Sequence, residues 1–268
     1  MVKSKPLISL IVPVKKVDTR PDMLEACVSS IFENAYDINN IEILLGLDVG
    51  DDKTLEYVQK SIPKKYSTHP IKMFFSTSGA DNFIQEFYER GYKLSEGELI
   101  WCIGEDVTIL TPGYDLKIKE DIEGYACPYV TVGGRYINGM PDGRNKYCNF
   151  PLISRNFEHN GTLLPTNMRS WGVDAYFAMV FEWFTSIGYC QTVDLTQDIK
   201  IHHLSAHFED FPKDELYKLQ EKRGEHMEYS GGGDLMKSTT ESIEYFYKQI
   251  FGVKNTQVRG RALDWKKH

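Results

Sequence analysis

The sequence predicts an α/β fold with a central, mostly parallel β-sheet flanked by helices. In the N-terminal part of the chain, short apolar runs alternate with segments whose apolar residues recur at helical spacing. Strands separated by helices of this length form parallel sheets through right-handed crossovers. The composition, with 41% hydrophobic and 26% charged residues, is that of an ordinary globular protein.

Four strands and three helices are predicted in the first half of the chain. The strand at residues 7–14 precedes a helix that starts at Pro21, where proline and the following Asp22 favour a helix N-terminus. The second helix has Leu55, Val58 and Ile62 on its inner face. The remaining strands are expected at 41–47, 71–75 and 99–103, and the third helix at about 82–94.

The second half predicts a mixed or antiparallel extension. Gly133 and Gly134 stand between alternating runs, which is typical of a tight hairpin, and residues 150–156 add a short strand. A helix at 173–187 ends at Gly188, and "DIKIHHLSAH" alternates like a strand. From Phe211 onward the chain is predicted to be helical and polar.

Charge and cysteine content exclude several classes of protein. The net charge of −7 provides no overall basic field for bare nucleic acid, which is therefore an improbable partner. Five cysteines without a C-x-x-C pair indicate neither a disulfide framework nor a zinc knuckle, and favour a reducing, cytoplasmic location. The apolar run near the start is too short to cross a bilayer, so no transmembrane segment is expected.

Polar residues follow the predicted strands, where open α/β sheets bind their ligands. They are Lys15, Lys16, Asp48, Ser76 and the pair Glu105 and Asp106. The loop after the first strand has no glycine, which argues against a dinucleotide-binding or P-loop enzyme. A divalent cation that bridges carboxylate and phosphate oxygens is another way to hold a diphosphate, and Glu105 and Asp106 suit it.

Three stretches in the first half carry a family resemblance. "PLISLIVPVKK", "IEILLGLDVGDDKT" and "GELIWCIGEDV" resemble, in order and spacing, the opening landmarks of the GT-A-fold, family 2 type nucleotide-sugar glycosyltransferases. The resemblance covers about residues 5–208. It implies a Rossmann-like GT-A fold and transfer of a sugar from a nucleoside diphosphate sugar to a hydroxyl of an acceptor glycan or other molecule.

The resemblance also implies a nucleotide site. Asp48 and Asp52 fall on two of the family aspartates that hold the nucleoside of a UDP, GDP or dTDP type donor. Further nucleotide contacts are expected from the end of the first strand and from the third landmark, at Pro13, Val14, Lys15 and Glu105.

The third landmark departs from the family pattern. The family has D-x-D, whose carboxylates bind the metal and the sugar diphosphate, but here Gly104 occupies the first position and Asp106 the last. The metal, Mn²⁺ or Mg²⁺, would then rest on Asp106, with a second ligand from the late strand. His203 is favoured over its neighbour His202, since some family members deliver a histidine there.

A fourth landmark implies the catalytic base. Asp174 opens a predicted helix where the family places the carboxylate that deprotonates the acceptor in an inverting reaction; alternatively, it only complements the helix dipole. The segment before it lies where the family builds its acceptor pocket. Arg155, Glu158 and Trp171 are the candidate acceptor contacts.

Three alternatives remain open on the sequence. They are a retaining transferase on the same fold, a non-catalytic nucleotide-sugar binding module, and an interaction scaffold with a vestigial site. The expected organisation is a glycosyltransferase domain at 1–210, with a nucleotide-binding half (1–106) and an acceptor-binding half (107–210), followed by a helical extension at 211–268.

Overall fold

The computed structural model describes residues 5–14, 21–76, 83–133, 150–157, 163–164, 173–203, 239–245 and 248. Within these residues the chain forms eight strands and five longer helices, and residues 239–245 are also helical. The strands are β1 (Ile8–Val14), β2 (Ile41–Asp48), β3 (Ile71–Ser76), β4 (Leu99–Cys102), β5 (Val107–Ile109), β6 (Pro128–Gly133), β7 (Leu152–Ser154) and β8 (Gln191–His203). The helices are α1 (Pro21–Glu33), α2 (Asp52–Tyr66), α3 (Phe83–Leu94), α4 (Tyr114–Asp121) and α5 (Val173–Ser186).

The strands form one mixed sheet in the order β3-β2-β1-β4-β7-β6-β8-β5. Strands β1 to β4 are parallel to one another, as the sequence predicts. Beyond β4 the sheet is mixed, because β7 runs antiparallel to both β4 and β6, β8 is parallel to β6, and β5 is antiparallel to β8. The predicted α/β class with a mixed extension is confirmed.

Helices cover both faces of the sheet. On one face, α1, α2 and α4 bury apolar side chains such as Val28, Val58 and Ile118. On the other face, α3 and α5 contribute aromatic side chains such as Phe87 and Phe181. Strands that are apolar on both faces, as β1 and β2 are, can be stable only when both faces are covered.

Two glycines, one on β2 and one on α3, lie at the contact between α3 and the sheet. A Cβ added to Gly91 would lie 2.4 Å from Cγ2 of Ile11 on β1. A Cβ added to Gly46 on β2 would lie 2.4 Å from the Phe87 ring. Neither position accepts a side chain unless the contacting side chains or the helix move.

A buried carboxylate joins the amino ends of the four parallel strands. Glu42 on β2 accepts hydrogen bonds from Ser9 Oγ on β1 (2.5 Å) and from the Glu96 N–H before β4 (2.5 Å). Its other oxygen lies 2.9 Å from Lys72 Nζ on β3. Burial alone would raise the pKa of Glu42, but the hydrogen bonds and Lys72 outweigh burial and lower it.

The strand order predicts a ligand-binding crevice at the carboxyl ends of β1 and β4. The chain proceeds from β1 to β2 and β3 on one side and returns to β4 on the other, so the order reverses next to β1. The β1–β4 pairing ends at Ile11 and Cys102, while β1 continues beside β2 to Val14. Pro13 has no N–H to donate. It lies beyond the last residue of β1 that pairs with β4, so the missing N–H removes no hydrogen bond from that pairing.

Several local features differ from the sequence-based expectations. The predictions did not include β5 or α4, and β8 begins at Gln191, earlier than the predicted strand. The second half of the predicted hairpin after Gly133 lies outside the described residues; within them, β6 pairs with β7 and β8. In the part of the chain that the structure describes, no helix is long and apolar enough to cross a membrane.

Candidate functional site

Asp106 lies in a tight turn that connects β4 to β5, at the mouth of the crevice. The Val107 N–H donates to the Gly104 carbonyl (3.2 Å), which closes the turn. The Asp106 carboxylate folds back over Gly104, so that a Cβ at position 104 would lie 2.2 Å from Asp106 Oδ1. Asp106 in this position occupies the space of a side chain at position 104, so a larger residue there would require the Asp106 carboxylate to move.

His203, and not His202, faces Asp106. His203 ends β8 opposite Val107 on β5, and its Nε2 lies 3.2 Å from Asp106 Oδ2. His202 is opposite Thr108 and, as the adjacent strand residue, points to the other face. The Phe150 ring packs edge-on against His203, with ring centroids 4.8 Å apart, and the Trp101 Nε1–H donates to the Phe150 carbonyl (2.9 Å).

The Asp106–His203 pair has the donor set and spacing of two ligands to one cation. Carboxylate oxygen and imidazole nitrogen both bind Mn²⁺. Two ligand atoms at about 2.1 Å from an octahedral ion and at right angles are about 3 Å apart, close to the 3.2 Å observed here. Within the described ranges, no group of three or more His, Cys, Asp or Glu side chains could hold a metal, so further ligands would have to come from bound substrate, water or other parts of the chain.

Asp174 lies in the first turn of α5 on the same side of the sheet as Tyr88. The Asp174 Oδ1 accepts from the Ala175 N–H (2.9 Å). Burial raises the pKa of Asp174, while the hydrogen bond from the Ala175 N–H and, to a smaller extent, the nearby His203 partly offset this. The pKa of the buried Tyr88 on α3 is raised well above its ordinary value by burial and, to a smaller extent, by nearby groups that include the carboxylates of Asp106 and Asp174. Tyr88 therefore lies near both aspartates, and so does His203.

The predicted nucleoside residues lie at the carboxyl end of β2. Asp48 is the last residue of β2 and pairs in register with Ser76 of β3. Asp52 is exposed in the first turn of α2. Asp51, which the sequence analysis did not single out, caps this helix by accepting from the Thr54 N–H (3.1 Å) and Thr54 Oγ1 (2.6 Å).

Some of the remaining predicted site residues lie at the crevice, and others lie outside the described residues. Pro13 and Val14 end β1 at the crevice, and Glu105 precedes Asp106 in the turn. Lys15, Glu158 and Trp171 lie outside the described residues. The structure therefore brings together the ends of β1, β2 and β4 with the end of β8 and the start of α5.

Arg155 lies at the opposite end of β4 from Asp106. Its Nε donates to the Gly97 carbonyl (2.6 Å) and its Nη2 to Ser95 Oγ (2.5 Å). The guanidinium also stacks over the Tyr92 ring, 5.0 Å from the centroid. These contacts hold β7 to the α3–β4 connection, and this position does not favour the predicted acceptor contact.

Glu89 on α3 is a second buried carboxylate that the sequence analysis missed. One oxygen accepts from the N–H groups of both Leu163 and Leu164, at 2.5 Å each. Burial raises the pKa of Glu89, although these two hydrogen bonds partly counter it. No sequence signal could have identified the partners, because backbone N–H groups are present at nearly every residue.

The arrangement of this sheet and its helices defines a GT-A-like fold, and comparison with solved structures supports this. A mannosyltransferase from Pyrobaculum calidifontis, in complex with GDP-Man and Mn²⁺, superposes with a TM-score of 0.59 at 13% identity, covering 98% of this chain and 81% of that chain. TarS residues 1–349 from S. aureus superposes with a TM-score of 0.57 at 14% identity, covering 95% and 74%. The same part of TarS in complex with UDP gives 0.55 at 15% identity, covering 96% and 75%. No family model and no curated protein matches the chain.

Proposed function

We propose that the chain is a metal-dependent glycosyltransferase that moves a sugar from a nucleoside diphosphate sugar to an acceptor hydroxyl. The observation that carries the proposal is the pairing of Asp106 Oδ2 with His203 Nε2, 3.2 Å apart, beside the crevice where the strand order reverses. A ligand-binding crevice is expected at such a switch point. Glycosyltransferases with similar structures, bound to UDP, UDP-GlcNAc or GDP-Man, support a nucleotide-sugar donor.

The donor would extend across the carboxyl ends of β1, β2 and β4. Asp48 and Asp52 would hold the nucleoside, with Pro13, Val14 and Lys15 completing that side of the pocket. Asp106 and His203, helped by Glu105, would hold Mn²⁺ or Mg²⁺. Such an ion neutralises the negative charge of the diphosphate leaving group.

Asp174 would act as the general base in an inverting transfer. Its carboxylate takes the proton from the acceptor hydroxyl while the acceptor oxygen forms a bond to the anomeric carbon. The bond from that carbon to the diphosphate oxygen breaks on the opposite face, and the nucleoside diphosphate leaves. Glu158 and Trp171 would contact the acceptor, with Trp171 as a stacking surface.

Calorimetric titration of nucleotides tests the donor site directly. UDP, GDP and dTDP are each titrated with and without Mn²⁺ into the wild type, Asp106→Ala and Glu120→Ala, the last being an exposed carboxylate on α4 that serves as the matched control. The expected result is binding that requires both Mn²⁺ and Asp106 and is unchanged in Glu120→Ala. If no nucleotide binds under either condition, the proposed function is wrong.

Turnover separates the proposal from its two nearest rivals. A non-catalytic binding module predicts nucleotide affinity without consumption of any nucleotide sugar. A retaining enzyme predicts a product with the anomeric configuration of the donor, in which case Asp174 would not be a base. Determination of the product's anomeric configuration by NMR therefore decides between the inverting and retaining reactions.

A further inference from the structure

The structure brings two cysteines together that are far apart in sequence and outside the proposed catalytic site. Cys127 Sγ and Cys190 Sγ lie 3.2 Å apart, although 63 residues separate them along the chain. Both thiols are buried and unoxidised. The other described cysteines, Cys27 and Cys102, are also free, but no thiol–thiol contact of this kind is observed for them in the described residues.

The backbone holds this pair in a geometry that a disulfide can adopt. Pro128 on β6 pairs in parallel register with Gln191 on β8, so Cys127 and Cys190 are the residues directly before the paired strands. The Gln191 N–H donates to the Cys127 carbonyl (3.2 Å), which extends the contact to the cysteines. Neighbouring strands are about 4.8 Å apart, and disulfides join Cα atoms that are roughly 4.4 to 6.8 Å apart.

We propose that Cys127 and Cys190 are a reversible dithiol–disulfide pair that is oxidised by low-molecular-weight disulfides. The Cys127 thiolate attacks one sulfur of the small disulfide, forming a mixed disulfide and releasing one thiolate. Cys190 then loses its proton and attacks the Cys127 sulfur, which expels the second small thiolate. The two cysteines together lose two protons and two electrons, and the small disulfide is reduced to two thiols.

The surroundings of the pair support Cys127 as the attacking group. The hydrogen-bonding contact with the Cys190 thiol lowers the pKa of Cys127 despite its burial. Residues 123–126, directly before Cys127, are exposed, and Gly188, two residues before Cys190, is also exposed. The pair therefore lies just beneath two surface turns, whose local opening would admit a small oxidant.

The disulfide would act on stability rather than on the nucleotide site. It would close a loop that contains β6, β7 and α5, and it would join the start of β6 to the start of β8. His203 lies at the other end of this long strand. Oxidation is therefore expected to raise the melting temperature while Mn²⁺-dependent nucleotide binding stays unchanged.

The test uses the folded wild-type protein in buffers with increasing ratios of oxidised to reduced glutathione. Samples are quenched with acid, alkylated in denaturant, digested without reduction and analysed by mass spectrometry. The expected result is a Cys127–Cys190 linked peptide that dithiothreitol removes, with a rise in Tm of about 5 °C or more. This rise should persist in the control variant Cys102→Ser and disappear in Cys127→Ser and Cys190→Ser.

Two outcomes would overturn the proposal. One is that the linked peptide is absent at every glutathione ratio, or that only mixed disulfides with glutathione accumulate. The other is that the link forms only after the protein is unfolded in urea. Because the linked peptide is measured in the wild type, the result does not depend on whether the serine variants fold.

Discussion

At the scale of single residues, the neighbouring histidines of β8 provide a matched comparison. They differ by one position, and thus by the face of the strand to which they point. His203 meets Asp106, whereas His202 lies opposite Thr108. Replacing either histidine would have similar non-specific effects on this strand, but only the replacement of His203 would remove a proposed metal ligand.

Replacement of His203 by alanine is expected to weaken Mn²⁺-dependent nucleotide binding by about tenfold or more. The reason is the loss of one of two protein ligands to the cation. His202→Ala should leave both the affinity and its Mn²⁺ dependence unchanged. Calorimetry with the best-binding nucleotide measures both variants, and equal losses in the two would contradict the assignment of His203 as a ligand.

Asp174→Asn is expected to lower kcat by a factor of roughly a hundred to ten thousand, because the amide cannot accept the acceptor's proton. Nucleotide affinity should remain that of the wild type. Glu182→Gln, on the exposed side of α5, is the control and should keep full activity. A retained kcat in Asp174→Asn would remove the base from the proposed mechanism.

The raised pKa of Asp174 predicts the acid limb of the pH–rate profile. A base must be ionised, so activity is lost as the pH falls through its pKa. Burial places that pKa above the ordinary aspartate value of 3.8, while backbone hydrogen bonds and the nearby His203 reduce the shift. Measurements of kcat/KM from pH 4 to pH 8 should therefore show an acid limb centred above 3.8. A profile that stays flat down to the lowest pH measured would contradict the assignment.

At the scale of secondary-structure elements, the close contact of α3 with β1 depends on Gly91. Gly91→Ala is expected to destabilise the protein, because overpacking costs about 1 to 3 kcal/mol and the helix propensity of alanine returns at most about 1 kcal/mol. Urea unfolding measures the change. In an Ile11→Ala background, which removes the contacting Cγ2, the same substitution should no longer destabilise; additive effects would contradict the proposed contact.

The sequence predicted local elements well and long-range pairing poorly. Strands β1 to β4 are short apolar runs between amphipathic helices, so period and length were sufficient to identify them. By contrast, β5 is only three residues long and was not predicted. The first half of β8 was also missed, because it is rich in polar residues. Strand order beyond β4 depends on contacts between distant segments, which a hydrophobic pattern does not encode.

For the site, too, local sequence predicted some residues well, whereas positions that depend on long-range strand pairing were not predicted. Asp106 and His203 could be predicted from a family resemblance, and the structure places them side by side. Arg155 follows β7 directly, and its location depends on the direction of that strand. Because β7 is antiparallel to β4, Arg155 lies at the amino end of β4, and nothing in the sequence of so short a strand reveals that direction.

At the scale of the whole molecule, the carboxylate of Glu42 joins four strands at the edge opposite the site. Glu42→Gln is expected to destabilise the protein by about 2 kcal/mol at neutral pH, since it weakens hydrogen bonds to a charged, buried group. The partly exposed Lys72 contributes little of this loss. Urea unfolding of both proteins at neutral pH measures the difference.

The same variant has a defined pH dependence. Because the folded pKa of Glu42 is lowered below its ordinary value of 4.5, its stabilising effect is present above that pH and disappears as the pH falls through the folded pKa. The stability difference between wild type and Glu42→Gln should therefore shrink as the pH falls below 4.5. A constant difference across this range would contradict the role of ionised Glu42.

A bulge in β8 affects which of its side chains reach the site. Val132 pairs with Leu195 and Gly133 with Lys200, so four residues of β8 are looped out between two successive residues of β6. The strand pairs with β6 before this bulge and with β5 after it. The length of this bulge therefore determines which side chains of the following segment face β5 and the site. If one residue were inserted there and the rest of β8 moved by one position, every following side chain would turn to the other face. His202 would then lie opposite Val107, where His203 lies now, so the two adjacent histidines would keep an imidazole beside Asp106.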